Sequence, residues 1–220
     1  MNYTASEENH LKTIFHLQED SPLVTTNSLA VELKTSAASV TDMLKKLKQK
    51  KLLHYQPYRG FKLSTEGRKV ALDIVRRHRL WEFFLSQKLK FNWDEVHELA
   101  EELEHVNNKK LTERLDEYLG FPKFDPHGDP IPDGSGKIMV STLVELTQLP
   151  ENKMGEVCNV GNQSPEILEM LKHKKISIGT KLEVKKIFPF DHSMELKIKS
   201  FPAFTISEQL AKNIYVKILK

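Results

Sequence analysis

Three of the nine histidines and a run of carboxylates fall within residues 76–106. If this stretch forms two helices, four potential ligands share one sector of the second helix, beside its apolar stripe. They are His97, Glu101, Glu104 and His105. On the first helix, His78 and Glu82 are four residues apart and therefore face the same neighbour. Because carboxylates this close repel one another unless protons or a cation neutralise them, the pattern predicts a bound divalent cation.

The ligand types narrow the choice of cation. Carboxylate oxygens combined with imidazole nitrogens suit Mn²⁺ or Fe²⁺, and they also admit Co²⁺, Ni²⁺ and Zn²⁺. Taken singly, each residue has a simpler explanation, since a lone histidine is usually hydrogen-bonded in the core and a glutamate pair is usually solvated. The segment from His97 to Glu101 begins like the zinc-protease motif H-E-x-x-H, but Glu101 stands where the second histidine belongs.

A different metal chemistry is indicated by two Glu-x-x-His spacings, Glu7 to His10 and Glu102 to His105. Di-iron carboxylate bundles use such motifs on four long helices. The first spacing here falls on a short predicted helix of another module, so an oxidase or storage bundle is the less favoured alternative. Nothing in the chain resembles a nucleophile triad or a phosphate-binding loop. We therefore expect a protein that is not an enzyme.

The residues ahead of the ligand-rich stretch predict three helices, for which Ser6, Thr26 and Ser36 are plausible capping residues. The second and third helices are separated only by the tight connection of Lys34 to Ser36. Two helices joined by so short a turn, the second of them basic, are typical of a helix-turn-helix.

Two short strands follow the third helix, at residues 52–55 and 61–63. Tyr58, Arg59 and Gly60 lie at the turn between them, where glycine supplies a permissive backbone. Three helices followed by a β-hairpin make a winged helix.

Charge along the chain supports a nucleic-acid partner for this module. Residues 34–62 carry eight lysines or arginines and one acid, whereas residues 82–104 carry seven acids and two lysines. A basic segment followed by an acidic one predicts an anionic partner first and a cation site second. In a winged helix the first turns of the third helix enter the major groove, and nearby basic side chains meet phosphates. The predicted contacts to double-stranded DNA are Ser36, Ala38, Ser39, Thr41, Lys45, Lys46 and Arg59.

The rest of the chain divides into a helical part and a β part. Apolar stripes predict three further helices, and the last of them ends at Gly120 and Pro122. Residues 121–136 hold four prolines and four glycines or serines, a composition that predicts a linker. After about Lys137, short apolar runs alternate with turns and predict a small all-β domain. Its predicted strands lie at residues 156–160, 181–187, 195–198, 203–206 and 214–219, with one helix at 165–171.

The single cysteine, Cys158, rules out an internal disulfide framework and suits a reducing cytosol. No apolar run approaches the roughly 20 residues of a membrane span, and no signal peptide opens the chain. We therefore expect a cytoplasmic protein without a membrane partner.

The order of these elements, together with the phrases RRHRLWE, VHELAEELEHV and ERLDEYLGFPKFDPHGDPIP, resembles the metal-dependent repressors of the diphtheria toxin repressor family. The resemblance covers residues 5–135 and is greatest to the manganese-responsive branch, the manganese transport regulators and streptococcal scavenging regulators. It implies two adjacent metal sites per subunit, a homodimer formed by the helices after the wing, and metal-activated binding to a palindromic operator. It also implies an SH3-like (FeoA-like) domain at the carboxyl end.

The resemblance also assigns roles to particular residues. It implies a primary metal site at Glu101, Glu104 and His105, and a second or bridging site at His78, Glu82 and His97. Asp125 and His127 match positions that supply further ligands in the streptococcal relatives, although a solvated linker explains them as well. Two positions depart from the family. Asn9 stands where an Asp or Met is expected, and could coordinate through its amide oxygen. Lys12 stands where the two-manganese members have an acid.

We therefore predict a homodimeric, Mn²⁺- or Fe²⁺-dependent repressor of metal-uptake genes, without a small-molecule substrate. The predicted domains are a winged-helix DNA-binding domain at 1–64, a helical metal-binding and dimerisation domain with its linker at 65–136, and an SH3-like domain at 137–220. The main alternative is a metal-independent winged-helix regulator whose histidine and glutamate cluster is structural.

Overall fold

The structure is a computed structural model that describes residues 3–56, 59–139, 142–199 and 201–219. The predicted turn residue Tyr58 lies outside these ranges. The chain forms two compact units, each assembled from separate segments. The first unit comprises Met1–Leu80, Ala100–Tyr118 and Pro132–Ile138, and the second comprises Trp81–Leu99, Leu119–Ile131 and Met139–Lys220. Among the described residues, no helix combines the length and the apolar character needed to span a membrane.

The first unit begins with three helices, α1 (Ala5–Asp20), α2 (Thr26–Glu32) and α3 (Ala37–Gln49). Ser36 caps α3 as predicted, accepting a hydrogen bond from the backbone of Ser39. The caps of α1 and α2 are Thr4 and Thr25 rather than the predicted Ser6 and Thr26. Both threonines have extended backbones and form reciprocal capping boxes, which satisfy backbone donors that the helix itself leaves free.

A hairpin of β1 (Leu53–Gln56) and β2 (Gly60–Leu63) follows, paired antiparallel. Its second strand is tied to the turn before α2, because Val24 and Phe61 exchange two backbone hydrogen bonds of 2.9 Å. At Gly60 the backbone φ is +123°, and an added Cβ would lie 2.3 Å from the Val24 carbonyl oxygen. Only glycine fits this crossing, which fixes the hairpin against the helices.

Three helices complete the α part: α4 (Thr65–Gln87), α5 (Val96–Leu103) and α6 (Lys109–Tyr118). Ser64 sits at the start of α4, where its hydroxyl accepts from the backbone of Gly67 and donates to the Lys51 carbonyl. Asn108 accepts from the backbone of Leu111 at the start of α6. Buried side chains of α1 to α3, the hairpin and the first half of α4 form one hydrophobic core.

The second unit contains a six-stranded antiparallel sheet in the order β3-β8-β4-β5-β6-β7. The strands are β3 (Val144–Glu145), β4 (Met154–Val160), β5 (Lys181–Ile187), β6 (Met194–Ile198), β7 (Phe204–Ile206) and β8 (Ile214–Ile218). Two helices, α7 (Pro165–His173) and α8 (Glu208–Ala211), and a 3₁₀ turn at Leu146–Gln148 accompany the sheet. The predicted fold class is confirmed. The sequence missed β3 and α8, which are too short to show a periodic pattern.

Residues 119–131, most of which were predicted to be linker, fall in the second unit. The backbone of Val160 donates to the His127 carbonyl at 3.0 Å. Gly128 has φ +88°, and a Cβ there would lie 1.8 Å from the Cys158 carbonyl oxygen. This segment therefore runs directly against β4.

Candidate metal centre and nucleic-acid interface

Four predicted ligands meet in the second unit, and we call them the second-unit cluster: Glu82 of α4, His97 of α5, and Asp125 and His127 of the segment on β4. Glu82, Asp125 and His127 are buried, with relative exposures of 1%, 6% and 0%. Each offers a ligand atom, and these atoms lie within 4.8 Å of one another. His97 is partly exposed, and its Nδ1 lies 3.2 Å from Glu82 Oε1. Two carboxylates with imidazole nitrogens at this spacing are a donor set for a divalent cation.

The orientation of His127 suits a metal ligand. Its Nε2 lies 2.7 Å from the Trp93 carbonyl oxygen, and because a carbonyl only accepts, Nε2 carries the proton. The Trp93 ring stacks on the imidazole, with 6.0 Å between the centroids. The other nitrogen, Nδ1, is buried, has no hydrogen-bond partner among the residues that the structure describes, and lies 3.6 Å from Glu82 Oε2. An imidazole nitrogen facing a carboxylate oxygen at this distance calls for a cation or a proton between them.

The charge state of His127 agrees with this geometry. Burial by itself lowers the pKa of the His127 imidazole, but the neighbouring carboxylates of Glu82 and Asp125 outweigh burial and raise the pKa above its ordinary value of 6.5. A proton on Nδ1 therefore competes with a metal ion for the same lone pair.

Backbone and amide donors hold the carboxylates of this segment. Asp125 Oδ1 accepts from the backbone of His127 at 2.8 Å and of Asp129 at 3.0 Å. The Asp129 carboxylate in turn accepts from the side-chain amides of Asn159 at 2.8 Å and Gln163 at 2.7 Å. These bonds connect the ligand-bearing segment to the sheet domain, which thereby positions the cluster although the structure places none of the predicted ligands in the sheet itself.

A second cluster of predicted ligands lies in the first unit, where Lys12 of α1 is its central cation. Lys12 Nζ lies 2.5 Å from Glu101 Oε1, 2.7 Å from Glu104 Oε1 and 2.8 Å from Glu104 Oε2. His78 Nδ1 is 2.6 Å from Glu104 Oε2. We call these four residues the Lys12 network. Burial by itself raises the pKa of the Glu104 carboxyl, but the His78 hydrogen bond and the Lys12 charge outweigh burial and lower the pKa below its ordinary value.

Beside the Lys12 network, Glu8 forms a second set of ion pairs. Its two carboxylate oxygens lie 2.9 Å from Arg77 Nη2 and 2.7 Å from His105 Nδ1. Arg77 also donates to the Glu104 carbonyl and pairs with Asp73. The His105 imidazole is thus engaged by a carboxylate from α1.

The structure distributes the predicted ligands over both units. Asn9, Glu101, Glu104 and His105 lie in the first unit, as the resemblance implied for one site. Of the implied second site, His78 belongs to the first unit, and Glu82 and His97 belong to the second. The sequence did not predict that Arg77 would bind Glu8 and Glu104, or that the Trp93 carbonyl would accept from His127. Arg77 stands in the quoted RRHRLWE phrase, but nothing in the sequence marks Trp93 as a partner of His127.

The predicted DNA-contacting residues are all exposed. The two serines at the start of α3 bond each other, with 3.0 Å between the hydroxyls of Ser36 and Ser39. Thr41 donates to the Ala37 carbonyl, and Lys45 pairs with Asp42 at 2.9 Å. The remaining members, Ala38, Lys46 and Arg59, also face solvent. The first turns of α3 thus present small polar groups with cations beside them, as major-groove readout needs.

Comparison with known proteins identifies the family. Residues 2–61 match the model described as "Iron dependent repressor, N-terminal DNA binding domain". Residues 64–133 match "Iron dependent repressor, metal binding and dimerisation domain", and residues 144–218 match "FeoA domain". A solved structure titled "Manganese-dependent transcriptional repressor complex with manganese" superposes with a TM-score of 0.87 at 33% identity, covering 97% of this chain and 100% of that one. The chain belongs to the iron-dependent repressor family.

Curated members of the iron-dependent repressor family show the same relationship. The "Iron-dependent repressor IdeR" of Mycobacterium leprae is 33% identical over 150 residues, which are 65% of each chain. The "Diphtheria toxin repressor" of Corynebacterium glutamicum is 32% identical over 131 residues, which are 60% of this chain and 57% of that protein. The chain thus spans less than two thirds of the length of these curated relatives. The predicted family is confirmed, and its proteins are transcriptional regulators rather than enzymes.

Proposed function

We propose that this chain is a metal-dependent, DNA-binding transcriptional repressor of metal-uptake genes, with Mn²⁺ or Fe²⁺ as its effector. The observation that carries the proposal is the second-unit cluster, in which two buried carboxylates, the buried His127 imidazole and the partly exposed His97 lie on the same chain as a winged helix. Since the relatives are bacterial repressors and operator DNA lies in the cytoplasm, we expect the protein to act there.

Glu82, Asp125, His127 and His97 are the residues we propose to hold the cation. A divalent cation is attracted by the two buried carboxylates of Glu82 and Asp125, and the His127 tautomer leaves Nδ1 to donate its lone pair. The donors are oxygen and nitrogen only, which favours Mn²⁺ or Fe²⁺ over metals that prefer thiolates.

For DNA, we propose that α3 enters the major groove. Its first turns carry Ser36, Ala38, Ser39 and Thr41 toward base edges, while Lys45, Lys46 and Arg59 meet phosphates. The family's dimerisation domain supports a homodimer, which would bind a palindromic operator with half-sites one or more helical turns apart.

The test is DNA binding by the full chain with and without metal. A duplex selected from random-sequence DNA in the presence of Mn²⁺ is labelled, and its fluorescence anisotropy is followed with EDTA, Mn²⁺, Fe²⁺ under anaerobic conditions, or Zn²⁺. We expect Mn²⁺ or Fe²⁺ to tighten binding by about 10- to 100-fold, the usual range of allosteric coupling.

A matched pair of variants assigns the effect to the cluster. Glu82→Gln keeps the shape but removes the charge, and we expect it to abolish the metal response. Glu98→Gln changes an exposed acid on α5 and is expected to leave the response intact. Equal affinity with EDTA and with every metal would instead support the metal-independent regulator.

A further inference from the structure

We propose that Lys12 takes the place of a metal ion in the first unit, so that the chain binds a single divalent cation, in the second-unit cluster. The inference rests on the proposed function, since it concerns which acidic cluster responds to metal. The family resemblance implied a different arrangement, with a primary metal site at Asn9, Glu101, Glu104 and His105.

The first argument is the position of the ammonium group. Its nitrogen lies 2.5 Å from Glu101 Oε1 and 2.7 and 2.8 Å from the two oxygens of Glu104. It therefore occupies the point where three carboxylate oxygens from two side chains converge. An ammonium has three donors and no acceptor; it donates to Glu101 Oε1 and Glu104 Oε2 and lies at ion-pair distance from Glu104 Oε1. A metal ion that used the same oxygens would have to displace Lys12.

The second argument is charge in a buried place. The side chains of Lys12 and Glu104 have relative exposures of 10% and 0%, and that of Glu101 has 37%. A buried carboxylate is stable only with a positive partner, and Lys12 already provides it for Glu104. A divalent ion added beside the ammonium would meet like-charge repulsion in a poorly solvated site.

The third argument is that the imidazoles of this cluster are also engaged. His78 contacts Glu104 at 2.6 Å, and His105 contacts Glu8 at 2.7 Å. Asn9 Oδ1 is buried and has no hydrogen-bond partner within the part of the chain that is described. A neutral amide oxygen by itself is a weak ligand for a divalent cation, which usually binds through several oxygens.

The consequence concerns how α1 is held. Glu101 lies on α5 and Glu104 directly follows it, so the Lys12 ion pairs connect α1 to this helix without any metal. In this chain, docking of α1 is therefore independent of metal, and metal dependence enters through the second-unit cluster.

The experiment is the Mn²⁺ content of the full chain after equilibrium dialysis, measured by elemental mass spectrometry. We expect the wild type to bind one ion per chain and the Lys12→Glu variant to bind two. We expect the His127→Gln variant to bind none, and the variant that combines Lys12→Glu with His127→Gln to bind one. Lys12→Arg keeps a cation and is expected to stay at one. Circular dichroism and gel filtration check that each variant is folded. If Lys12→Glu does not fold, Lys12→Gln, which removes the charge without adding a carboxylate, is expected to gain a second and weaker ion.

Two ions on wild type would overturn the inference, as would one ion on a folded Lys12→Glu or Lys12→Gln. The inference would also be overturned if the His127→Gln variant kept an ion and the additional substitution Glu104→Gln removed that ion. The proposed function fails on a separate result, namely no ion on wild type together with operator binding that ignores EDTA. In that case the gain of an ion by Lys12→Glu still decides the role of Lys12.

Discussion

Gly128 is the position at which a single methyl group should weaken the proposed metal centre without removing a ligand. Its φ is +88°, and a Cβ there would lie 1.8 Å from the Cys158 carbonyl oxygen and 2.8 Å from Asn159 Cα. These are backbone atoms of β4 and cannot move aside as a flexible side chain could. In Gly128→Ala the peptide must therefore shift by roughly 1 Å or more, and the adjacent His127 ring shifts with it.

The size of the effect follows from the contacts that are lost. Alanine in this left-handed conformation costs about 1–2 kcal/mol. Separation from β4 also breaks the hydrogen bond from Val160 to the His127 carbonyl, 3.0 Å long, which contributes about 0.5–1.5 kcal/mol. We expect the free energy of unfolding of the second unit to fall by about 2–3 kcal/mol. Disturbing the orientation of a ligand typically weakens metal binding by about 10- to 100-fold, and we expect that range here.

The assay is Mn²⁺ titration calorimetry of the purified variant, with thermal unfolding followed by circular dichroism. Gly134→Ala is the matched control, because a Cβ at Gly134 meets nothing within 4 Å. It should bind Mn²⁺ like wild type. If Gly128→Ala binds Mn²⁺ with wild-type affinity while fully folded, then the position of His127 does not govern the metal centre, and the reasoning is refuted.

Three further outcomes are expected. Because the pKa of His127 is raised above 6.5, its proton must leave when metal binds, so Mn²⁺ affinity should rise by up to about tenfold per pH unit below that pKa. Calorimetry at about pH 6 in buffers of different ionisation enthalpy should detect the released proton. The absence of proton release would contradict the role of Nδ1 as a ligand. Lys46→Ala should weaken operator binding and reduce the slope of log affinity against log salt by about 1 per chain; an unchanged slope in anisotropy titrations would place Lys46 away from phosphate. Asp116→Ala leaves Arg76 buried without its 2.7 Å partner and should destabilise the first unit by about 3–5 kcal/mol in urea unfolding, whereas the exposed Glu117→Ala should change stability by less than about 0.5 kcal/mol.

The α part of the fold could be predicted because its signals are local. The 3.6-residue stripes identified α1 to α6, although among the first three helices only the cap of α3 was predicted at the right residue. The hairpin followed from apolar runs flanking Gly60. The larger strands of the sheet also appeared as separate apolar runs. The family and the fold class are confirmed, whereas the domain limits, the metal ligands and the DNA contacts remain predictions.

The composition of the second-unit cluster could not be derived from local signals. Glu82 lies on a helix and His127 in a segment rich in proline and glycine, a composition that indicates a loop but not where it packs. The segment is fixed by backbone bonds to β4 and by the close approach of Gly128 to Cys158. Such contacts leave no periodic pattern in the sequence, because they depend on backbone atoms rather than on side-chain type. The helical pattern grouped Glu82 with His97, and only the family resemblance marked Asp125 and His127 as further ligands.

Lys12 shows how one residue can reverse the meaning of a motif. The resemblance implied a metal among Glu101, Glu104 and His105, and the sequence marked Lys12 only as a departure from the acid found there in relatives. Replacing an acid with a lysine changes the local charge by two, the charge of a divalent cation. The ammonium therefore has the same stabilising effect as a metal ion, since it neutralises the carboxylates and connects α1 to α5. A motif match alone cannot distinguish these solutions, because the same carboxylates are required by both.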